Sequence, residues 1–254
     1  MPTVGEIFDF LNQKAPVETK LDFDNVGLLV GSRDWPVTSA LLSLEITGEV
    51  IAEAKELGAG LVLSHHPLFF ELKAVSSETP QGKKAMDLLT AGIAAICMHT
   101  NLDAADGGVN DTLAAALGLE GAKPYEPEHI CRLGTLPDAM PLKDFLRRAK
   151  GRLGCAGLRY VNGGRPVCLV AVGGGSCGSM IEETALTGCD TFVTADVKHD
   201  QFLRAKELGL NLIDAGHFNT ENVVIPVLRD WLAAEFPALQ LRIAAHGQPE
   251  KYYV

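Results

Sequence analysis

Leu61-Val-Leu-Ser-His-His-Pro67 is the stretch from which the fold can be read outward. Leu61 to Ser64 is too short for a helix and follows the breakers Gly58 and Gly60, so it reads as a buried strand. Two adjacent histidines stand where that strand stops, and Pro67, which cannot donate to a ladder, ends it. In an open α/β sheet, ligands gather outside the carboxyl ends of strands, and a neutral imidazole placed there is a ready metal ligand. Taken alone, the segment also fits a surface turn that happens to hold two histidines.

Outward from this stretch the pattern repeats. Residues 40–46 read as a strand and 49–57 as a helix; residues 83–90 form a helix and 93–98 a strand that ends in His99-Thr-Asn-Leu-Asp103. A helix over 109–117 follows. Near the start, Thr3-Val-Gly-Glu6 is a capping box ahead of Ile7, Phe8, Phe10 and Leu11, which predicts a helix to about residue 15. Residues 21–31 form an acidic, Gly-punctuated loop entering a strand. There Asp22, Asp24 and Asn25 suit either a cation or turns in which their side chains bond their own backbone. Lys123-Pro-Tyr-Glu-Pro127 is the best linker candidate, giving a first α/β domain over 1–125 and a second over 126–254, with room for C-terminal elements to pack back on the first.

The second half restates the theme, with helices over 142–148 and 201–208 and strands over 167–172, 191–195 and 211–214. Gly216-His217 follows, Asn219 or Thr220 caps a final helix over 223–234, and residues 239–244 make a last strand. Alternation of this kind predicts an α/β sheet with crossover connections. Ala54-Lys-Glu-Leu-Gly58 recurs as Ala205-Lys-Glu-Leu-Gly209, and the same offset pairs His66 with His217 and Glu45 with Asp196. A five-residue match of common helix formers is weak alone. Agreement of the downstream histidine and the upstream acid predicts two α/β domains related by internal duplication, with both histidine turns facing one cleft.

Composition excludes several classes. The chain has 254 residues, enough for two compact domains, and its 47% hydrophobic and 21% charged fractions are those of a globular protein. A formal charge of −10 argues against broad nucleic-acid binding. No run of 18 apolar residues offers a membrane span, and Met1-Pro-Thr-Val-Gly-Glu6 does not read as a secretory leader. The six cysteines form no C-x-x-C pair and read as core filler in a reduced, cytoplasmic protein.

The chemistry gathers at three strand ends, which carry His65 and His66, His99 and Asp103, and His217 and Glu221. The last two pairs share i, i+4 spacing, one face of a helical turn. Six nitrogen and oxygen donors exceed the four a zinc ion usually takes and suit two divalent ions of the Zn, Mn, Fe, Co or Ni group. Such a pair acidifies water, which is the logic of metal-assisted hydrolysis. His129 and His246 lie in polar stretches and read as solvated, and His199 is open between cleft and solvent. Gly173-Gly-Gly-Ser176 is a tight strand-to-helix turn or, less simply, a phosphate cradle without a Walker lysine.

At Asp24-Asn-Val-Gly-Leu28, Ser64-His-His-Pro67, His99-Thr-Asn-Leu-Asp103, Gly173-Gly-Gly-Ser176 and Asp214-Ala-Gly-His-Phe-Asn-Thr-Glu221 the chain resembles the NIF-three-like family, the GTP cyclohydrolase I type 2 homologues. The resemblance implies two α/β domains, a dinuclear metal site between them and a ring-shaped homohexamer. It implies His65, His66, Asp103, His217 and Glu221 as ligands, Glu221 as the bridge, and His99 as ligand or catalytic proton carrier. His199 is followed by Asp200 where family members often carry a second histidine. The implied activity is a dinuclear metal-dependent hydrolase opening the purine ring of GTP at C8. The alternatives are a non-catalytic metal-binding or metal-delivery protein, and a dimetal hydrolase of another nucleotide or small amide.

Overall fold

The computed structural model describes residues 1–245; His246 lies outside them. The chain opens with α1 (Val4–Lys14), β1 (Gly27–Val30), β2 (Ser39–Ser43), α2 (Gly48–Glu56), β3 (Leu61–Ser64), α3 (Pro80–Thr90), β4 (Ala94–Cys97) and α4 (Thr100–Ala104). It continues through α5 (Val109–Leu117), β5 (Glu120–Lys123), β6 (Arg132–Met140), α6 (Leu142–Leu153), β7 (Arg159–Val161) and β8 (Val167–Val172). Then come α7 (Ile181–Leu186), β9 (Thr191–Thr194), α8 (His199–Glu207), β10 (Asn211–Asp214), α9 (His217–Glu221), α10 (Val224–Glu235) and β11 (Gln240–Ile243). The capping box is present: Thr3 accepts from the Glu6 amide and Glu6 from the Thr3 amide.

Two compact units divide the chain, one made of Met1–Asp106 and the described residues from Ile225, the other of Gly107–Val224. Among the described residues the first holds a sheet of order β1-β4-β3-β2-β11. In it β11, β2, β3 and β4 run parallel, and β1 is antiparallel at one edge. The second holds a sheet of order β5-β6-β8-β9-β10-β7, parallel through β8, β9 and β10 and antiparallel at both flanks. The boundary expected at 125/126 therefore falls inside the second unit. Lys123 belongs to β5, which pairs with β6, so the proline-flanked 123–127 stretch is a connection between paired strands and not a linker.

Parallel strands bury both faces, and the second unit shows how. Val170, Val172, Val193 and Ile213 join a core with Leu113, Phe145 and Leu153, while Ala171, Phe192 and Leu212 face the opposite core with Ile181 and Ala205. In the first unit Leu41, Val62 and Ala95 pack with Val50, Ile51 and Leu88. Cys97, Cys131, Cys155 and Cys189 are buried, as core filler would be. Burial pushes the Cys155 thiol up to about 11.

The repeated pentapeptide does the same structural work twice. Gly58 (φ 62°) and Gly209 (φ 66°) adopt the left-handed conformation that ends α2 and α8. The following amides then reach back, Ala59 to the Ala54 carbonyl at 2.9 Å and Leu210 to that of Ala205 at 3.0 Å. The flanking strands are parallel neighbours in both cases, β2 with β3 and β9 with β10.

Phe145 is fully buried on α6, whereas Leu186 is 89% exposed. Phe145→Ala should cost about 3–5 kcal/mol and Leu186→Ala less than about 0.5 kcal/mol, compared by urea midpoints followed by far-UV circular dichroism. Equal midpoints for the two variants would contradict this core.

Candidate metal centre

In the first unit β3 and β4 deliver the histidines. Ladder bonds continue past their ends: the His66 amide donates to the Leu44 carbonyl at 2.9 Å and the Met98 amide to that of Ser64 at 3.0 Å. The Ser64 hydroxyl donates to the His66 carbonyl at 2.7 Å and fixes the His-His turn. His65, fully buried, sets its Nδ1 2.9 Å from the Met98 carbonyl oxygen. A carbonyl can only accept, so Nδ1 carries the proton and Nε2 is the lone-pair atom of the neutral ring.

The same logic holds for its neighbours. His66 Nδ1 lies 2.5 Å from Glu45 Oε1, and His99 Nδ1 lies 2.8 Å from Asp24 Oδ1. The rings of His65, His66 and His99 cluster with centroids 5.0–5.4 Å apart. Their donor nitrogens lie within 4.8 Å of one another, a group that could hold a metal ion. Asp103 follows on α4, its amide bonded to the His99 carbonyl at 3.0 Å. Its Oδ1 lies 3.6 Å from His65 Nε2.

Asp24, an open choice between cation ligand and turn residue in the sequence, is a buried carboxylate that anchors this turn. It accepts from His99 Nδ1, from the Thr100 hydroxyl at 2.5 Å and from the Thr100 amide at 3.0 Å. Burial alone would raise its pKa. The hydrogen bonds from His99 and Thr100 outweigh burial and hold the carboxyl well below the usual range.

In the second unit β10 leads into α9. Asp214 accepts from the Gly216 amide at 3.1 Å and the Val197 amide at 3.0 Å, and pairs with Arg159. His217 Nδ1 lies 2.7 Å from Asp196 Oδ2, and His217 Nε2 lies 2.9 Å from Glu221 Oε2, one helical turn on. Asp196 takes a left-handed φ of 53°, a conformation acidic residues tolerate better than most. Asn219 and Thr220 do not cap the final helix; they lie within α9. Asn219 donates to the Leu153 carbonyl at 3.0 Å, and the Thr220 hydroxyl accepts from the Gly175 amide at 3.0 Å.

That last bond settles the glycine run. The Gly174 amide donates to Asn110 Oδ1 and the Cys177 amide to the Thr194 hydroxyl, so these amides serve the turn. A Cβ at Gly175 would overlap the Glu221 carboxylate and lie 3.2 Å from His217 Nε2, at a φ of +63°. The run is a tight turn whose glycine makes room for Glu221. His129 and His199 are exposed, His129 at a φ of 58°.

The donor set suits divalent cations. With Nδ1 of each ring held by its own partner, Nε2 of His65 and of His217 each face a carboxylate oxygen, at 3.6 and 2.9 Å. A ring nitrogen and a carboxylate oxygen at such distances are held together by a shared proton or by a cation, and imidazole–carboxylate sets suit Zn, Mn, Fe, Co or Ni. Sequence reasoning paired Glu45 with Asp196 as repeat positions but missed that they, with Asp24, orient the histidines. The shared separation from Glu45 to His66 and from Asp196 to His217 was the available signal.

A family model described as Duf34/NIF3 (NGG1p interacting factor 3) matches residues 2–249. The chain belongs to that family. Among its relatives is a protein of Clostridium perfringens named GTP cyclohydrolase 1 type 2 homolog, 37% identical over 226 residues that make up 86% of each chain. Solved structures of Duf34/NIF3-like shape include Staphylococcus aureus protein SA1388, with a TM-score of 0.88, 26% identity and 99% coverage of both chains. Reduced HcgD from Methanocaldococcus jannaschii gives a TM-score of 0.84 and 27% identity, covering 96% of this chain and 98% of its own.

Two outcomes are expected. Gly175→Ala should weaken cobalt(II) binding by more than about tenfold, because the added methyl displaces Glu221. Gly188→Ala, at a φ of +79° with open space around it, should cost only about 1 kcal/mol of stability and leave cobalt binding unchanged; titration by visible absorption compares them. For Asp24, a depressed folded pKa means its stabilisation is complete above the ordinary carboxylate range and drains away as pH falls below about 4. Urea midpoints of chelator-treated protein between pH 6 and pH 3 should therefore fall more steeply for the parent than for Asp24→Asn.

Proposed function

We propose that this Duf34/NIF3 member is a dinuclear metal-dependent hydrolase of a nucleotide, with opening of the purine ring of GTP as its reaction. The observation that carries the reading is the gathering of ligand atoms: ring nitrogens of His65, His66 and His99 within 4.8 Å of one another, and His217 Nε2 2.9 Å from Glu221 Oε2. The name of the Clostridium perfringens relative, GTP cyclohydrolase 1 type 2 homolog, supports the substrate. We take two divalent ions per chain, with His65, His66, Asp103, His217 and Glu221 as their ligands.

When bound, such ions lower the pKa of water and stabilise developing negative charge on oxygen. The chain's own groups do the rest. Glu45 and Asp196 keep the rings of His66 and His217 in the Nε2-ligating tautomer. His99, oriented through Asp24, is the group we assign to carry a proton to or from the opening ring. No helix among the described residues is long and apolar enough to cross a membrane. We place the protein in the cytoplasm as a homohexamer, and read its two units as copies of one ancestral strand–helix–strand segment.

The test is turnover of GTP by metal-replete protein, followed by chromatography of the ring-opened product, with Asp103→Ala beside the parent. Loss of a residue that merely orients a ligand costs 10–100-fold, so Asp103→Ala should lower the rate more than about 100-fold. Stoichiometric metal with no product from GTP or other nucleotides would replace this reading with metal storage or delivery.

A further inference from the structure

Beside the histidine cluster lie two phenylalanines that the chemistry above does not use. Phe23 is 65% exposed and Phe70 57% exposed. Their rings are 6.1 Å apart between centroids and tilted by 50°, and Phe70 meets the His99 ring edge-on at 5.9 Å. Single exposed apolar residues are ordinary. These two differ in being adjacent to each other, fixed by the metal centre's own scaffold, and set against one of its histidines.

The fixing is specific. Phe23 sits near the tip of a turn closed by the Asp24 amide on the Leu21 carbonyl at 3.0 Å. Its neighbour Asp24 is the carboxylate that holds His99 and Thr100. Phe70 follows Leu68, buried in the first unit's core, and Phe69, partly buried against it. The Phe69 carbonyl accepts from Asn25 Nδ2 at 2.9 Å, so the two phenylalanine-bearing turns are tied to each other. Exposed Asp22 and Glu71 flank the rings, which suits a small bound molecule better than an apolar protein face or a lipid surface.

We propose that Phe23 and Phe70 form a stacking platform for the planar heteroaromatic ring of the substrate. It would set that ring beside His99 and determine specificity for heteroaromatic over purely aliphatic or sugar substrates. This rests on the hydrolase reading for its purpose but not for its measurement. Aromatic side chains bind bases through their π-faces with little dependence on base identity, so the platform selects a flat ring and leaves the choice among rings to other contacts.

The probe is 2-aminopurine riboside, a fluorescent heterocycle without phosphate, titrated into protein as purified. The parent should bind it with quenching. Phe70→Ala and the double variant with Phe23→Ala should weaken binding about tenfold or more, and Phe70→Trp should retain it. Cobalt(II) stoichiometry and sedimentation mass should match the parent in every variant. The proposal is overturned if the parent does not bind the riboside, if Phe70→Ala binds it as well as the parent, or if the alanine variants sediment as a smaller species. The last outcome would assign the rings to a subunit contact. GTP turnover is judged separately: riboside binding through Phe70 without turnover keeps the platform and removes the cyclohydrolase reading. Turnover unaffected by Phe70→Ala does the reverse.

Discussion

The structure depends on which nitrogen of each histidine is spoken for. At His65, His66, His99 and His217, Nδ1 faces a backbone carbonyl or a carboxylate at 2.9 Å or less. Each such partner accepts a hydrogen bond, so the ring proton is committed and the lone pair is left on Nε2. A free histidine samples both tautomers and many rotamers, and binding an ion would have to fix all of them. Here that ordering is part of folding, contributed by residues remote in sequence such as Glu45, Asp24 and Asp196.

This commitment explains features that otherwise look unrelated. Strand ends must be stitched past their last ladder pair, because a histidine on a loose turn could not hold its Nδ1 partner. The Ser64 hydroxyl and the amides of His66 and Met98 supply that stitching. Asp196 takes a left-handed backbone to bring its carboxylate to His217. Gly175 lacks a side chain because Glu221 occupies the space one would need. Both backbone departures lie against the His217 turn in space although they are remote from it in sequence.

Sequence exposed the parts of this design that repeat or that are apolar. β3, β4, β8, β9 and β10 are mostly buried and each carries a short apolar stretch, and the recurring Ala-Lys-Glu-Leu-Gly segment marked two matching helix ends. What stayed hidden lacks both signals. β5 and β7 are short, largely exposed and antiparallel, so Glu120–Lys123 looked like the approach to a linker. α9 is a single turn, too short to show a period, and its Asn219 and Thr220 looked like caps for the longer helix after it. The orienting roles of Glu45 and Asp24 arise from pairs 21 and 75 residues apart, which no local pattern encodes.

Charge gives the last step. In the first unit Asp24, Glu45 and Asp103 surround the histidine cluster, and in the second Asp196 and Glu221 flank His217. Carboxylates behind an imidazole raise its basicity and strengthen its bond to a cation. The same carboxylates, in a chain of net charge −10, create a field that repels a phosphorylated molecule. Divalent ions reverse the local sign, so under the hydrolase reading they would both activate water and admit an anionic substrate. A stacked ring needs no charge at all, which is why an aromatic platform would complement such ions: under that reading the ions would attract the anionic end of a nucleotide, and the rings would discriminate its flat end.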